Sequence, residues 1–124
     1  MPVPKRILVS ETRDTLSLEY EQQQFNLSAE YLRVFSPSAE VRGHGQGQQV
    51  LQFGKKNVKI ESLVQSGNYA IQLVFSDGHD SGIYSWDYLF DLATNFSQNW
   101  SEYLDQLHRA GKSREPETQV VKLL

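Results

Sequence analysis

The sequence predicts an α+β domain with a mostly antiparallel twisted sheet of about six or seven short strands, one short helix and one long C-terminal helix. Apolar and polar residues alternate over residues 16–20, which is typical of a half-buried strand. Turn signals separate such runs, and Asp77-Gly78 is the strongest hairpin signal. Apolar residues recur every three or four positions from Leu89 to Leu107, which indicates an amphipathic helix.

Length and composition set the broad class. The chain has 124 residues, a net charge of −3 and no cysteine. This length fits one domain, which we place at residues 1–111, followed by a polar tail at 112–124 that we expect to be mobile. The absence of cysteine excludes disulfides, thiolate zinc sites, iron–sulfur ligation and a cysteine nucleophile.

The first third of the chain reads as strands followed by a short helix. Alternating runs predict strands at residues 6–10, 15–20 and 24–27. Residues 28–35 then change to a helical period, with Ser28 as the capping residue and Pro37 ending the helix.

The remainder reads as a loop, four strands and the long helix. Residues 36–49 form a loop rich in glycine and glutamine. Strands are predicted at residues 50–53, 58–64, 69–76 and 82–84. The long helix begins at Ser85 or Asp87, runs to about Ala110 and is followed by Gly111 as the C-terminal cap residue.

Composition also limits location and partners. No apolar run approaches the ~20 residues that span a bilayer, and the N-terminus lacks the apolar region of a secretory signal. We therefore expect a cytoplasmic protein without a membrane or nucleic-acid partner, since the net charge is mildly negative.

No motif indicates catalysis or a metal. The three histidines lack metal-ligand spacing and no GxSxG motif occurs. His79 is the most interesting of them because it directly follows the Asp77-Gly78 turn. We predict that the chain is not an enzyme and needs no cofactor.

One long motif carries a family resemblance. The string FSDGHDSGIYSW at residues 75–86, preceded by GNYAI at residues 67–71, resembles the signature of the gamma-butyrobetaine hydroxylase-like N-terminal (DUF971) family. Leu32-Arg33 is similar to its upstream LR element, so the resemblance covers about residues 5 to 92. It implies a small α+β domain that occurs alone in bacteria, before carnitine-pathway hydroxylases, or behind Mrp-type ATPases that handle iron–sulfur clusters.

The resemblance also implies a zinc site made of three cysteines and the histidine of the turn. In this chain the three cysteine positions are Ser36, Ser38 and Val41, and only His79 is retained. We expect a degenerate site that binds no zinc in the family manner, because hydroxyls are poor zinc ligands at neutral pH. A substitute site formed by His79, His44 and either Glu40 or Asp80 is the open alternative.

Without the metal, another interaction must hold the Ser36 segment near the turn. We expect hydrogen bonds from Ser36 or Ser38 to His79, and more strongly the burial of Phe35 and Val41.

Three readings of function follow. The first is a non-catalytic protein-interaction or structural module with an unidentified protein partner. The second is a metal-binding accessory protein linked to iron–sulfur or zinc handling. The third is a small-molecule binder whose surface includes the residues of the turn and those that follow it: Asp77, His79, Asp80, Tyr84 and Trp86. A homodimer is expected if the long helix projects from the sheet and buries its apolar stripe against a second copy.

Overall fold

Six strands and four helices make up the residues that the computed structural model describes, 2–43, 47–116 and 123. In chain order they are β1 (Arg6–Val9), β2 (Thr15–Glu19), β3 (Gln24–Ser28), α1 (Ala29–Val34), α2 (Ala39–Arg42), β4 (Ile60–Ser66), β5 (Ala70–Phe75), β6 (Gly82–Ser85), α3 (Trp86–Thr94) and α4 (Phe96–Ala110). Every strand pair is antiparallel. The predicted α+β class, the strand number and the long C-terminal helix are therefore confirmed.

The strands form two sheets where a single sheet was predicted. The first has the order β1-β2-β3 and the second the order β4-β5-β6. The division follows from chain connectivity, because helices and loops occupy residues 29–59 between the two groups of hairpin-connected strands. Arg13 joins the sheets: its carbonyl accepts from the Ile60 N–H (2.8 Å), and its Nε donates to the Ile60 carbonyl (2.7 Å).

Both sheets and the helices share one apolar core. Alternate residues of β5 point inward, so Ile71, Leu73 and Phe75 are fully buried while their neighbours face outward. Each such side chain contributes roughly 1.5–3 kcal/mol through burial. The other large side chains that are fully buried here include Leu16, Leu18, Tyr31, Leu32, Ile60, Tyr84 and Leu89.

The short helix α1 forms as its sequence predicts. The Ser28 hydroxyl accepts from the Tyr31 N–H at 3.0 Å and so caps the first turn. The Tyr31 hydroxyl then donates to the Leu92 carbonyl (2.7 Å) and accepts from Asn99 Nδ2 (2.9 Å). These two bonds connect α1 to both C-terminal helices.

The long apolar stripe is divided between α3 and α4, which meet at Asn95. Ser85 caps α3, since its hydroxyl accepts from the Tyr88 N–H at 3.1 Å. Thr94 Oγ1 and Asn95 Nδ2 both donate to carbonyls of the preceding turn, and this competition bends a helix. The long helix therefore begins at Phe96, and Gly111 closes it in the left-handed region as predicted. Within the described residues, no helix combines the length and apolar character that a membrane crossing requires.

The strand predicted at residues 50–53 is wrong. These residues lie outside both sheets and are held by other groups: the Val50 N–H donates to the Val41 carbonyl (2.8 Å), and the Tyr103 hydroxyl donates to the Gln52 carbonyl (2.8 Å). Leu51 and Phe53 pack against Tyr103 and Leu107 in a second small core. A short run rich in apolar residues can form either a strand or an extended segment that packs on a helix. Its periodicity therefore does not distinguish the two structures.

The segment after α4 returns to the body of the protein. Ser113 and Arg114 accept backbone hydrogen bonds from Gly54 and Lys56, at 2.9 and 3.0 Å. Arg114 also forms a bidentate ion pair with Glu30 at the start of α1. The remainder of the predicted mobile tail, apart from Leu123, lies outside the described residues, so the domain boundary at 111 stays a prediction.

Candidate functional site

The turn between β5 and β6 carries His79 into the protein interior. The Phe75 N–H donates to the His79 carbonyl at 2.9 Å, and the Gly78 N–H donates to the Phe75 carbonyl at 3.0 Å. Gly78 adopts φ 90°, a region that glycine enters without steric cost. The hairpin predicted from Asp77-Gly78 is thus present, and its geometry turns the imidazole inward, where it is only 6% exposed.

His79 contacts both serines at the expected positions. Its Nε2 lies 2.8 Å from Ser36 Oγ and 3.5 Å from Ser38 Oγ. Ser36 is completely buried, and its hydroxyl lies 3.3 Å from the Ser38 N–H. The predicted hydrogen bond between the Ser36 segment and the turn is confirmed, and it joins residues 43 positions apart.

The other ring nitrogen faces a carboxylate. His79 Nδ1 lies 3.3 Å from Glu40 Oε2, and the Glu40 side chain is 73% exposed. Burial, together with the positive charge of Arg33, lowers the pKa of His79 below its ordinary value of 6.5. A neutral imidazole with its proton on Nδ1 fits both contacts, because Nδ1 then donates to Glu40 and Nε2 accepts from Ser36.

Close packing surrounds the serine–histidine contact. Val41 is 5% exposed and fills the third of the expected cysteine positions with an apolar side chain, and Phe35 is half-buried. A Cβ added to Gly82 would lie 2.6 Å from Ser36 Oγ, which is closer than real contacts allow. Glycine at this position therefore permits the close approach of β6 to Ser36.

An ionic cluster stabilises the same turn from outside. Asp77 Oδ2 lies 2.9 Å from Arg33 Nε and 2.6 Å from Lys55 Nζ. Burial acts to raise the pKa of Asp77, but the hydrogen bonds from Lys55 and the His79 N–H and the charge of Arg33 outweigh it and lower that pKa to about 2. Asp77 is therefore a structural anion at neutral pH.

The five residues predicted as a binding surface have different environments. Asp77 is paired with Arg33 and Lys55, and His79 is buried. Tyr84 is completely buried and donates its hydroxyl to the Leu32 carbonyl (2.5 Å), and burial raises its pKa. Trp86 is 8% exposed and donates to the Asn68 carbonyl. Asp77 and Asp80 are the two exposed members of the five, and Asp77 is already paired, so a binding surface here would rest on Asp80 and the backbone of the turn.

The residues present do not fit a tetrahedral zinc site. Such a site takes four thiolate, imidazole or carboxylate ligands, whereas here His79 meets two serine hydroxyls at Nε2 and one carboxylate at Nδ1, and valine holds the third cysteine position. Across residues 2–43, 47–116 and 123, no three histidine, aspartate or glutamate side chains converge in a way that could hold a metal ion. His44, a member of the substitute site considered above, lies outside the described residues.

The contacts of Ser36, His79 and Glu40 follow the order of a hydrolase triad. A hydroxyl contacts one ring nitrogen and a carboxylate faces the other. A catalytic serine must reach substrate, yet Ser36 has no exposed surface and lines neither the groove beside α1 nor the small cleft around Phe53 and Gly111. In this structure the contacts hold the segment after α1 against the β5–β6 turn.

Sequence reasoning missed a groove beside the C-terminal end of α1. It has a volume of about 910 Å³ and lies between α1, the segment at residues 49–52 and the C-terminal helices. Its lining is mixed, with Val34, Phe35 and Tyr103 beside polar groups such as Arg42 and Gln106. The groove is formed by residues far apart in the chain, so no local pattern indicated it.

Comparison with known proteins agrees with this fold. Residues 7–90 match the model of the family described as gamma-butyrobetaine hydroxylase-like, N-terminal. Two proteins with NMR solution structures are 50% and 46% identical, with TM-scores of 0.83 and 0.79; each alignment covers all of this chain, and 98% and 94% of the other. A DUF971 family protein of unknown function from Acidithiobacillus ferrooxidans ATCC 23270 is 33% identical, with a TM-score of 0.60, over 73% of this chain and 91% of that one. No curated protein matches the chain.

The fold and the buried turn thus define a small α+β domain in which a histidine hairpin is joined to the segment after the first helix. The chain belongs to the gamma-butyrobetaine hydroxylase-like N-terminal family, also called DUF971.

Proposed function

We propose that this chain is a non-catalytic structural and protein-interaction module in which a serine–histidine hydrogen bond replaces a metal clip. The observation that carries the proposal is the 2.8 Å contact between Ser36 Oγ and His79 Nε2 inside the buried interior. It joins the two segments that zinc would join in the metal-binding pattern that the family resemblance implies.

The energetics support a clip without metal. A buried hydrogen bond contributes roughly 1 kcal/mol net, and complete burial of an apolar side chain such as Val41 contributes up to about 2 kcal/mol. The imidazole is kept neutral by burial and by Arg33, so the site needs no counter-ion of its own. The Ser36 hydroxyl and both ring nitrogens of His79 have partners, as a clip without metal requires.

Metal content tests the clip. We expect wild-type protein purified without chelator to contain only traces of zinc by elemental analysis. The triple variant Ser36→Cys/Ser38→Cys/Val41→Cys should bind one zinc ion per chain, because it supplies three thiolates around His79. Adding His79→Ala to the triple variant should weaken that binding, which controls for adventitious thiolate binding. Stoichiometric zinc in the wild type would overturn the proposal.

A serine-directed probe tests the absence of catalysis. A fluorophosphonate reagent labels an activated serine nucleophile, and we expect no labelling of the wild type because Ser36 is fully buried. Ser36→Ala is the matched control. Labelling that occurs in the wild type and disappears in Ser36→Ala would contradict a purely structural role for Ser36 and would indicate a hydrolase.

The groove beside α1 is the surface that favours an interaction role. It has a volume of about 910 Å³ and a lining of both apolar and polar side chains, which suits recognition of a partner. We propose a comparison of tagged wild type with Val50→Glu, which places a charge in the groove, in pull-downs from the host's cytoplasmic fraction. Val3→Glu is the control, since Val3 is 54% exposed against 53% for Val50 and lies outside the groove. One protein retained by wild type and Val3→Glu and lost from Val50→Glu supports the role, and equal retention by all three contradicts it.

The same groove supports a small-molecule binder as a second candidate. Ligand pockets have volumes of roughly 300–1,000 Å³, and this groove is within that range. Native mass spectrometry of freshly purified protein distinguishes the two, because a bound metabolite adds a discrete mass that Val50→Glu should lose.

A further inference from the structure

We infer that the free edge of β4 pairs with the same strand of a second copy, antiparallel and about a two-fold axis at Val64. This inference concerns the edge of the second sheet and does not depend on the serine–histidine clip or on the groove beside α1.

The edge is short and well defined. β4 pairs with β5 on one side, and on the other side Arg13 binds the Ile60 and Glu61 carbonyls at 2.7 Å each. Backbone pairing with another strand can therefore begin only at Ser62 and ends at Ser66. The N–H and carbonyl of Phe75 form hydrogen bonds with the turn and therefore point toward β6. Because this direction alternates along a strand, the N–H and carbonyl groups of Val74, Gln72 and Ala70 point toward β4.

Continuing this alternation onto β4 identifies the free groups. Ser62, Val64 and Ser66 face Val74, Gln72 and Ala70 and bond to β5, so the N–H and carbonyl groups of Leu63 and Gln65 point outward. None of these four groups has a backbone partner among the described residues. The N–H and carbonyl groups of alternate residues are the groups that hydrogen-bond to a neighbouring antiparallel strand.

A two-fold axis at Val64 satisfies all four groups in each copy. Leu63 then faces Gln65 of the partner subunit and exchanges two hydrogen bonds with it, and Gln65 does the same with Leu63 of the partner subunit. Val64 faces Val64 of the partner subunit as a pair without backbone hydrogen bonds. Glu61 falls opposite Gly67 of the partner subunit, so no like charges meet.

Charge favours a second copy as the occupant. Residues 62–66 carry no charge and no proline, whereas soluble proteins commonly protect free edges with lysine or proline. The outward-facing positions of the whole sheet are also uncharged: Ser62, Val64, Ser66, Ala70, Gln72, Val74, Ile83 and Ser85. Near a two-fold axis each residue lies close to its own copy, and a neutral face meets itself there without charge repulsion.

Other possible occupants are less well matched. A charged peptide would find no complementary charge on this edge. The dimer expected from a projecting helix is also unsupported, because Tyr103 and Leu107 of α4 pack against Val34, Leu51 and Phe53 of the same chain.

Cross-linking provides the first test, and the absence of native cysteine makes it specific. In a pair without backbone hydrogen bonds the two Cα atoms lie about 4.5 Å apart, within disulfide reach. Val64→Cys should form a disulfide-linked dimer several-fold faster than Ile83→Cys under mild oxidation. Ile83 is the matched control, being 52% exposed against 51% for Val64 on the same sheet face but on the opposite edge strand. Equal rates for the two variants would overturn the inference.

Sedimentation measures the reversible dimer. Five paired residues bury less than the roughly 800 Å² per partner of a stable interface, so the wild type should shift from monomer to dimer only as its concentration rises. Val64→Lys places like charges opposite each other and should abolish the shift, while Ile83→Lys should retain it. A wild type that stays monomeric at all accessible concentrations, or a Val64→Cys thiol that resists alkylation even in dilute monomer, would contradict pairing with a second copy.

Discussion

The guanidinium of Arg114 and the carboxylate of Glu30 form a bidentate ion pair across 84 positions of sequence. Nε to Oε2 is 2.8 Å and Nη2 to Oε1 is 2.7 Å, and the Glu30 side chain is only 6% exposed. Arg114 also lies over the Trp100 ring, 5.2 Å from its centroid. The segment after α4 thereby closes over the start of α1 and neutralises a buried carboxylate.

We expect Arg114→Ala to lower the free energy of unfolding by about 2–3 kcal/mol, because Glu30 would remain buried without a partner and Arg114 is itself partly exposed. Urea denaturation measures the change. The control is Arg109→Ala, which removes the exposed pair with Asp105 on α4 and should change stability by less than about 0.5 kcal/mol. Equal effects of the two substitutions would show that the Arg114 pair is no stronger than a surface pair.

Ser36→Ala should destabilise the protein by roughly 1–3 kcal/mol, since it leaves the buried His79 Nε2 without its short hydrogen bond. Ser38→Ala is the matched control, because Ser38 Oγ lies 3.5 Å from the same nitrogen and should contribute less than about 1 kcal/mol. Chemical denaturation gives both values. The Ser36–His79 contact would not be the clip if Ser38→Ala proved the more damaging change.

Gly82→Ala tests the close packing around the clip. The new Cβ would meet Ser36 Oγ at 2.6 Å and a Tyr84 ring carbon at 3.0 Å, so we expect a loss of about 1–3 kcal/mol. The double variant Gly82→Ala/Ser36→Ala serves as the control. Removing the hydroxyl relieves the closest clash, so the two losses should be less than additive in thermal or urea unfolding. Simple additivity would indicate that Gly82 and Ser36 do not compete for space.

Asp77 should make stability depend on pH in the acid range. Its pKa falls from 3.8 to about 2 on folding, so the ionised form stabilises the protein fully above pH 3.8, and this contribution is lost as pH falls through about 2. Because Asp77 is partly exposed, solvent screening reduces this contribution to about 1 kcal/mol.

The variant Asp77→Asn isolates this contribution. At neutral pH it should be less stable than the wild type by about 1 kcal/mol, and the gap should narrow between pH 4 and pH 2 in urea titrations. Asp80→Asn changes an exposed carboxylate of the same turn and should alter stability by less than about 0.5 kcal/mol. A gap that stays constant with pH would rule out Asp77 as the titrating group.

Much of the local structure was predictable from sequence, because short-range geometry decides it. The Ser28 cap, the Asp77-Gly78 hairpin and the Gly111 helix end follow from one or a few adjacent residues. The contact of Ser36 with His79 was predictable too, but only through the family resemblance, which placed both residues at one site.

Features that depend on packing were not predictable. The run at residues 50–53 has the composition of a strand, yet Leu51 and Phe53 pack against Tyr103 and Leu107 of α4 and the run joins neither sheet. The bend at Asn95 depends on side chains that compete for carbonyls of the preceding turn, whereas the apolar period continues through it unchanged.

The sequence by itself determined the α+β class, the order of most elements, the family and the loss of the three cysteines that its zinc pattern would require. Tertiary structure alone decided that Glu30 meets Arg114, that Ser36 rather than Ser38 makes the short bond to His79, and that the strands divide into two sheets. The reason is physical: local conformation depends on neighbouring residues, whereas these contacts depend on how the whole core packs.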